Sequence, residues 1–122
     1  MKVTIDPAIE RDPELKPRIE RANRYLESQL GPFWKETEAE WALRPNAPGR
    51  ITLRARFTGD PPGEASDTFD TKVLEKDYMS DLWVRGVVNA LLGERVSTLM
   101  GRVRTMLDEY ERAERAQGVQ VA

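Results

Sequence analysis

The chain of 122 residues contains neither cysteine nor histidine. Without cysteine it has no disulfide, no thiolate nucleophile and no cysteine-ligated zinc or iron–sulfur site. Without histidine it has no Ser-His-Asp chemistry and no histidine-ligated metal. Catalysis would have to use carboxylates, lysine, tyrosine or arginine. We therefore predict that the protein is not an enzyme, with no catalytic residue, no metal and no cofactor.

Long apolar runs and a strong net charge are also missing. The longest apolar runs are far shorter than the ~20 residues that a transmembrane helix needs, and the N-terminus has no signal-peptide core. The net charge is −2, so no global field attracts nucleic acid or an anionic membrane. We expect a cytoplasmic protein whose partner is neither a membrane nor nucleic acid, and no small-molecule ligand is indicated.

Residues 80–117 carry the longest apolar stripe of the chain. Its steps of three and four residues are typical of one side of an α-helix, and its members are Val84, Val87, Val88, Leu91, Leu92, Val96, Leu99, Val103, Met106, Tyr110 and Ala113. An unbroken helix over this segment would be ~56 Å long, whereas a compact domain of this size has a radius of gyration of ~14 Å. Either the helix breaks, with Gly93 as the expected point, or its end protrudes.

An earlier helix and a short strand are predicted before residue 32. Residues 2–6 alternate weakly and favour a short strand. Because Pro17 removes a helical hydrogen bond, the regular helix is expected to begin near Lys16, and the Gly31-Pro32 pair ends it. The apolar stripe of this helix consists of Leu15, Ile19, Ala22, Leu26 and Leu30.

Residues 35–44 and 50–58 alternate with period two on either side of a Pro/Gly turn, which predicts a β-hairpin. If Arg44 lies opposite Arg50, one face becomes an apolar layer and the other a ladder of ion pairs. That register pairs Glu40 with Arg54, Glu38 with Arg56, Trp41 with Leu53 and Leu43 with Ile51. Residues 65–71 are a weaker candidate for a third, polar edge strand.

These elements predict an α+β domain over residues 1–118, followed by a frayed tail at 119–122. An antiparallel hairpin or three-stranded sheet, with a possible N-terminal strand, is packed by the N-terminal helix and the long C-terminal helix or helices. The order β-α-β-β-β-α is similar to that of the ribosome-hibernation domain, and its α-β-β-β-α core resembles double-stranded-RNA-binding domains. This resemblance, which concerns element order alone, implies a ribosome- or RNA-associated factor that uses arginines of the hairpin and first helix.

Two sets of residues are candidates for contacts. Trp34, beside Phe33 and just after the first helix, is expected to be partly exposed, and tryptophan is favoured at interfaces. If nothing in the chain covers the end of the last helix, a second chain should, so Trp34, Met106, Leu107 and Tyr110 are the predicted partner interface. Arg85 and Asn89 are a possible polar contact to a ligand or partner carboxylate, or lie beyond the edge of the core.

Our first hypothesis is a non-catalytic protein–protein interaction module or small regulator that self-associates, as a homodimer, through its C-terminal helix. The alternative is the ribosome- or RNA-associated factor that the element order implies. A carboxylate-based enzyme ranks last, because it needs a concave pocket of acids with raised pKa values. The acidic rows at residues 36–40 and 60–70 are explained more simply by cross-strand ion pairs and a solvated edge.

Overall fold

The computed structural model describes the backbone of residues 2–121 and the side chains of residues 2–118. In chain order its elements are β1 (Lys2–Ile5), α1 (Pro7–Glu10), α2 (Leu15–Leu30), β2 (Thr37–Leu43), β3 (Arg50–Phe57), β4 (Gly63–Asp70) and α3 (Asp77–Val121). Short 3₁₀ helices at Gly31–Glu36 and Thr71–Glu75 precede β2 and α3. The predicted α+β class is confirmed; the sheet has four strands, because the possible N-terminal strand and the weak third strand both form.

The strands lie in the order β1-β2-β3-β4. β1 is a true strand and pairs parallel with β2, whereas the other neighbours are antiparallel. The predicted hairpin register is confirmed, since Trp41 lies opposite Leu53 and Glu38 opposite Arg56. β4 begins at Gly63, two residues before the predicted start, and extends the alternation to the far edge. The sheet therefore has one apolar face and one polar face.

The apolar face of the sheet is covered by α2 and α3, which also contact each other. Trp41 lies at the centre of this core with 0% exposure, and its Nε1 donates a hydrogen bond to Oδ1 of Asn23 on α2, 3.0 Å away. The bond satisfies the indole N–H, which would otherwise be buried without a partner. The other fully buried large side chains include Phe69, Ile9, Ile19, Leu26, Leu30, Ile51, Leu53, Leu91 and Val84.

Side-chain caps explain where the early helices begin. Oδ1 of Asp6 accepts a hydrogen bond from Ala8 N, and Oδ1 of Asp12 accepts from Glu14 N and Leu15 N. These oxygens satisfy amide groups that have no partner in the first helical turn. α2 ends at Leu30, and the following Gly31 has a φ of 54°, a conformation that glycine adopts without strain.

α3 is one continuous helix of 45 residues, which corresponds to ~67 Å at 1.5 Å per residue. Of the two alternatives that the sequence left open, the helix does not break at Gly93 and its end protrudes. A single glycine costs a helix only ~1 kcal/mol against alanine, and buried contacts hold the helix on both sides of Gly93, at Leu91 and Arg95. The helical backbone passes Gly118 and continues to Val121, while Ala122, the end of the expected tail, lies outside the described residues along with Met1.

Candidate interaction surface

α3 has two distinct apolar faces instead of the single predicted stripe. The first face packs on the sheet and consists of buried residues: Ser80, Val84, Val87, Val88, Leu91 and Arg95. Leu92 lies at its edge and is partly buried against the core. The second face begins at Val96, one residue after Arg95, and is therefore rotated by ~100° around the helix from this last buried residue. The apolar pattern of α3 thus serves the domain core up to Arg95 and continues as an exposed surface beyond it.

The second face is exposed to solvent. From Val96 to Gly118 every residue except Thr98 is exposed. We call its large apolar residues the distal face; with their exposed fractions they are Val96 (56%), Leu99 (43%), Met100 (54%), Val103 (53%), Met106 (67%), Leu107 (55%) and Tyr110 (63%). A contiguous stripe of this kind on a small protein marks an interaction site more often than chance exposure.

Three of the four residues predicted for the interface lie together on the distal face: Met106, Leu107 and Tyr110. The expectation that Trp34 is exposed was wrong, because it is only 6% exposed and belongs to the core. The 3₁₀ helix after α2 turns Trp34 inward and leaves its neighbour Phe33 at the surface, 41% exposed. Trp34 therefore offers no surface to a partner in this conformation.

Arg85 and Asn89, the two residues predicted as a possible polar contact, have different surroundings. The guanidinium of Arg85 donates to Oη of Tyr25 on α2, at 2.9 Å from Nη2 and 3.3 Å from Nε. Asn89 is exposed, one turn further along the same side of α3. Arg85 thus joins the two helices at the surface, whereas the role of Asn89 in a polar contact stays a prediction.

Arg95 anchors α3 at the point where the helix leaves the domain, and it was not predicted. Its side chain is buried, and Nε and Nη2 donate to Pro61 O at 3.0 and 2.9 Å. Nη1 forms an ion pair with Glu36, and the guanidinium lies 3.9 Å from the ring centre of Phe57. The sequence indicated the burial of Arg95 only through its position four residues after Leu91, on the same side of the helix.

We expect the substitution Arg95→Ala to lower the free energy of unfolding by about 2–4 kcal/mol, because it removes a buried cation with its hydrogen bonds and leaves Glu36 unpaired. Urea unfolding followed by circular dichroism measures this change. Arg104→Ala, on an exposed part of α3, is the control and should change stability by less than about 0.5 kcal/mol. Equal effects of the two substitutions would show that the Arg95 contacts do not hold the helix.

A second contact, an ion pair between Asp60 and Arg102, tethers α3 to the turn between β3 and β4, which also contains Pro61. Arg102 donates to both carboxylate oxygens of Asp60, at 2.7 and 3.1 Å. The hydrogen bond and the positive charge lower the pKa of Asp60 from its ordinary value of 3.8. Because the folded-state pKa is lowered, the tether stabilises the fold above pH 3.8 and is lost as the pH falls below that value.

We expect Arg102→Gln to return the pKa of Asp60 to about its ordinary value of 3.8. Titration of the side-chain carboxyl carbon by NMR measures this pKa in the original and substituted proteins. An Asp60 pKa that is the same in both proteins would show that the tether does not form in solution.

The outer face of the sheet is polar and its acids are mostly paired. Glu38 pairs with Arg56, with 2.8 Å between Oε2 and Nε, as the hairpin register predicted. Arg54 pairs with Glu64 on β4, not with the predicted Glu40. The face contains an open depression of about 230 Å³, which is below the ~300 Å³ at which small-molecule pockets begin. This face is therefore a weaker candidate for binding than the distal face.

Among residues 2–121, no helix combines the length and apolar character needed to cross a membrane. Within the described part of the chain, no three acidic side chains come together in a group suited to a metal ion. Comparison of the chain with protein-family models, curated proteins and solved structures found no match.

Proposed function

We propose that the protein is a non-catalytic protein–protein interaction module, or small regulator, that self-associates as a homodimer through the distal face. The observation that carries this proposal is the row of seven large apolar side chains, each 43–67% exposed, on a helix that extends beyond its own domain. Apolar surface in water is unfavourable in proportion to its area. A second copy supplies an apolar surface of matching length and spacing.

The apolar area of the distal face is large enough for such a dimer when the cost of association is low. Burial of the exposed half of each distal side chain contributes roughly 1 kcal/mol, or roughly 14 kcal/mol for seven side chains on each of two protomers. Association costs ~4–15 kcal/mol in lost freedom. Costs of ~4–8 kcal/mol, in the lower part of this range, leave about −6 to −10 kcal/mol, which corresponds to a Kd between roughly 40 μM and 50 nM.

The proposal includes no catalytic step, no cofactor and no small-molecule ligand, and it assigns the protein to the cytoplasm. The absence of cysteine and histidine supports the first part, because these residues supply most nucleophiles, general bases and metal ligands. The pairing of Glu36, Glu38, Glu64 and Asp60 with arginines supports it further. A carboxylate that is engaged in an ion pair with arginine is less available to act on a substrate.

Light scattering coupled to size-exclusion chromatography tests the proposal. We expect the mass to rise with concentration from 13.9 kDa towards twice that value, with a midpoint in the micromolar range. A mass of 13.9 kDa at several hundred micromolar protein would contradict self-association.

The ribosome- or RNA-associated factor is the second candidate, favoured by the observed order β-α-β-β-β-α when the single-turn α1 is set aside. Fold order alone is a weak guide to function, and arginines of the first helix and hairpin are engaged by acids: Arg21 pairs with Asp77 and Asp81, and Arg56 with Glu38. Binding to ribosomes or structured RNA at ~50 mM salt that weakens as salt rises would support this role. No binding at low salt would exclude it.

A further inference from the structure

The distal part of α3 follows a seven-residue repeat. Val96, Val103 and Tyr110 are seven residues apart, and Leu99 and Met106 lie between them in steps of three and four. In a coiled coil these are the a and d positions, which form the seam between two helices. From Leu92 to Gln117 the repeat covers between three and four heptads, a length at which such a pattern indicates a coiled coil.

The two flanks of this seam differ in character. The e positions carry Met100 and Leu107, both more than half exposed, followed by Glu114. The g positions carry Arg102 and Glu109, which are exposed as well. Around the centre of the seam one edge is therefore apolar and the other is charged, with opposite signs one heptad apart.

The flanks distinguish the two possible directions of pairing. In a parallel pair, each g flank faces the partner's e flank, so Arg102 would meet Leu107 and Glu109 would meet Glu114. In an antiparallel pair, a two-fold axis places e against e and g against g. Met100 then meets the partner's Leu107, and Arg102 meets the partner's Glu109. The antiparallel direction thus matches apolar with apolar and positive with negative charge.

We propose that the two copies pair antiparallel, with Val103 of one protomer opposite the partner's Met106. This inference rests on the proposed self-association and adds its direction and register. A shift of one heptad in one sense would put Arg102 against the partner's Arg102, and in the other sense Glu109 against the partner's Glu109. Like charges on the two-fold axis destabilise both shifted registers. Arg102 also forms an ion pair with Asp60 of its own chain, so its charge is divided between this contact and the partner's Glu109.

This register uses the free part of α3 and leaves the domains apart. Val96 of one protomer lies opposite the partner's Ala113, so pairing begins just after Arg95, where the helix leaves its own domain. In a parallel pair along the whole of α3, Arg85 would lie opposite the partner's Arg85. In the proposed register it lies outside the paired segment. The two domains, centred near residue 86 of each helix, are then ~55 Å apart. A parallel pair would place them side by side, because packed helices lie ~8–10 Å apart.

Single cysteines test the direction, because the chain has none of its own. In the proposed register, Val96 lies opposite the partner's Ala113, whereas two copies of Val96 are ~25 Å apart. We expect a mixture of Val96→Cys and Ala113→Cys chains, oxidised with oxidised glutathione, to form the mixed disulfide dimer, identified by intact mass. Each variant oxidised alone should stay uncross-linked, since a disulfide requires Cα atoms within ~7 Å.

Disulfide dimers from each variant alone would show parallel pairing and overturn the inference while leaving self-association intact. Monomeric mass for the unsubstituted chain would remove both proposals. A charge exchange gives a second readout: Glu109→Arg should weaken the dimer about threefold to tenfold, and mixing it with Arg102→Glu should restore affinity. Asp108→Arg, on the side of α3 away from the seam, is the matched control and should leave the Kd unchanged. No restoration on mixing would contradict the register.

Discussion

Replacing Val103 and Met106 together with glutamate is expected to abolish self-association and leave the domain folded. The two side chains are 53% and 67% exposed and lie beyond the part of α3 that packs on the sheet. In the dimer they are at the centre of the seam, so the substitution loses roughly 1 kcal/mol of burial at each of four sites and adds four negative charges to a small interface. We expect the Kd to rise at least about a hundredfold.

Light scattering measures the mass of this variant, and circular dichroism measures its unfolding. Ser97→Glu with Thr105→Glu is the matched control, because it adds the same charge to exposed positions of α3 away from the distal face. The control should remain dimeric. A dimeric Val103→Glu/Met106→Glu variant, or a control that dissociates equally, would show that the distal face is not the contact.

Among the proposed substitutions, Trp41→Ala is expected to lower the free energy of unfolding most, by about 3–5 kcal/mol. The side chain is completely buried between the sheet and α2, and its removal leaves both a cavity and an unpaired Oδ1 on Asn23. Urea unfolding should be measured in the Val103→Glu/Met106→Glu chain, because dimerisation adds concentration-dependent stability.

Phe33→Ala is the control for Trp41→Ala, since Phe33 is also aromatic but 41% exposed. Its expected loss is less than half as large, because less apolar area leaves a buried site. A loss at Trp41 no greater than that at Phe33 would contradict the assignment of Trp41 to the centre of the core.

The β2–β3 hairpin could be predicted in register because two independent patterns agree. Alternation defines which residues share a face, and opposite charges at Glu38 and Arg56 define which residues lie opposite each other. Both patterns are local, since a short turn joins the two strands. The parallel pairing of β1 with β2 was harder to predict, because it depends on packing across the intervening helix and β1 has only four residues.

The candidate site was predicted in part for a similar reason. The apolar spacing identified Met106 and Tyr110, and Leu107 lies beside them on the distal part of the helix, but the spacing merged two faces of α3 into one stripe. A rotation of one residue between Arg95 and Val96 separates the buried from the exposed face, and only the sheet beneath α3 reveals it. Trp34 was misplaced because residue type alone does not show how a 3₁₀ turn directs its side chain.

Hydrogen exchange measured by mass spectrometry at several protein concentrations tests most directly whether a second copy covers the distal part of α3. We predict that amides of residues 96–117 become more protected as concentration rises through the micromolar range, whereas amides of the sheet are protected at every concentration. Exchange in residues 96–117 that is fast and independent of concentration, in a protein that light scattering finds dimeric, would contradict the assignment of the interface to α3.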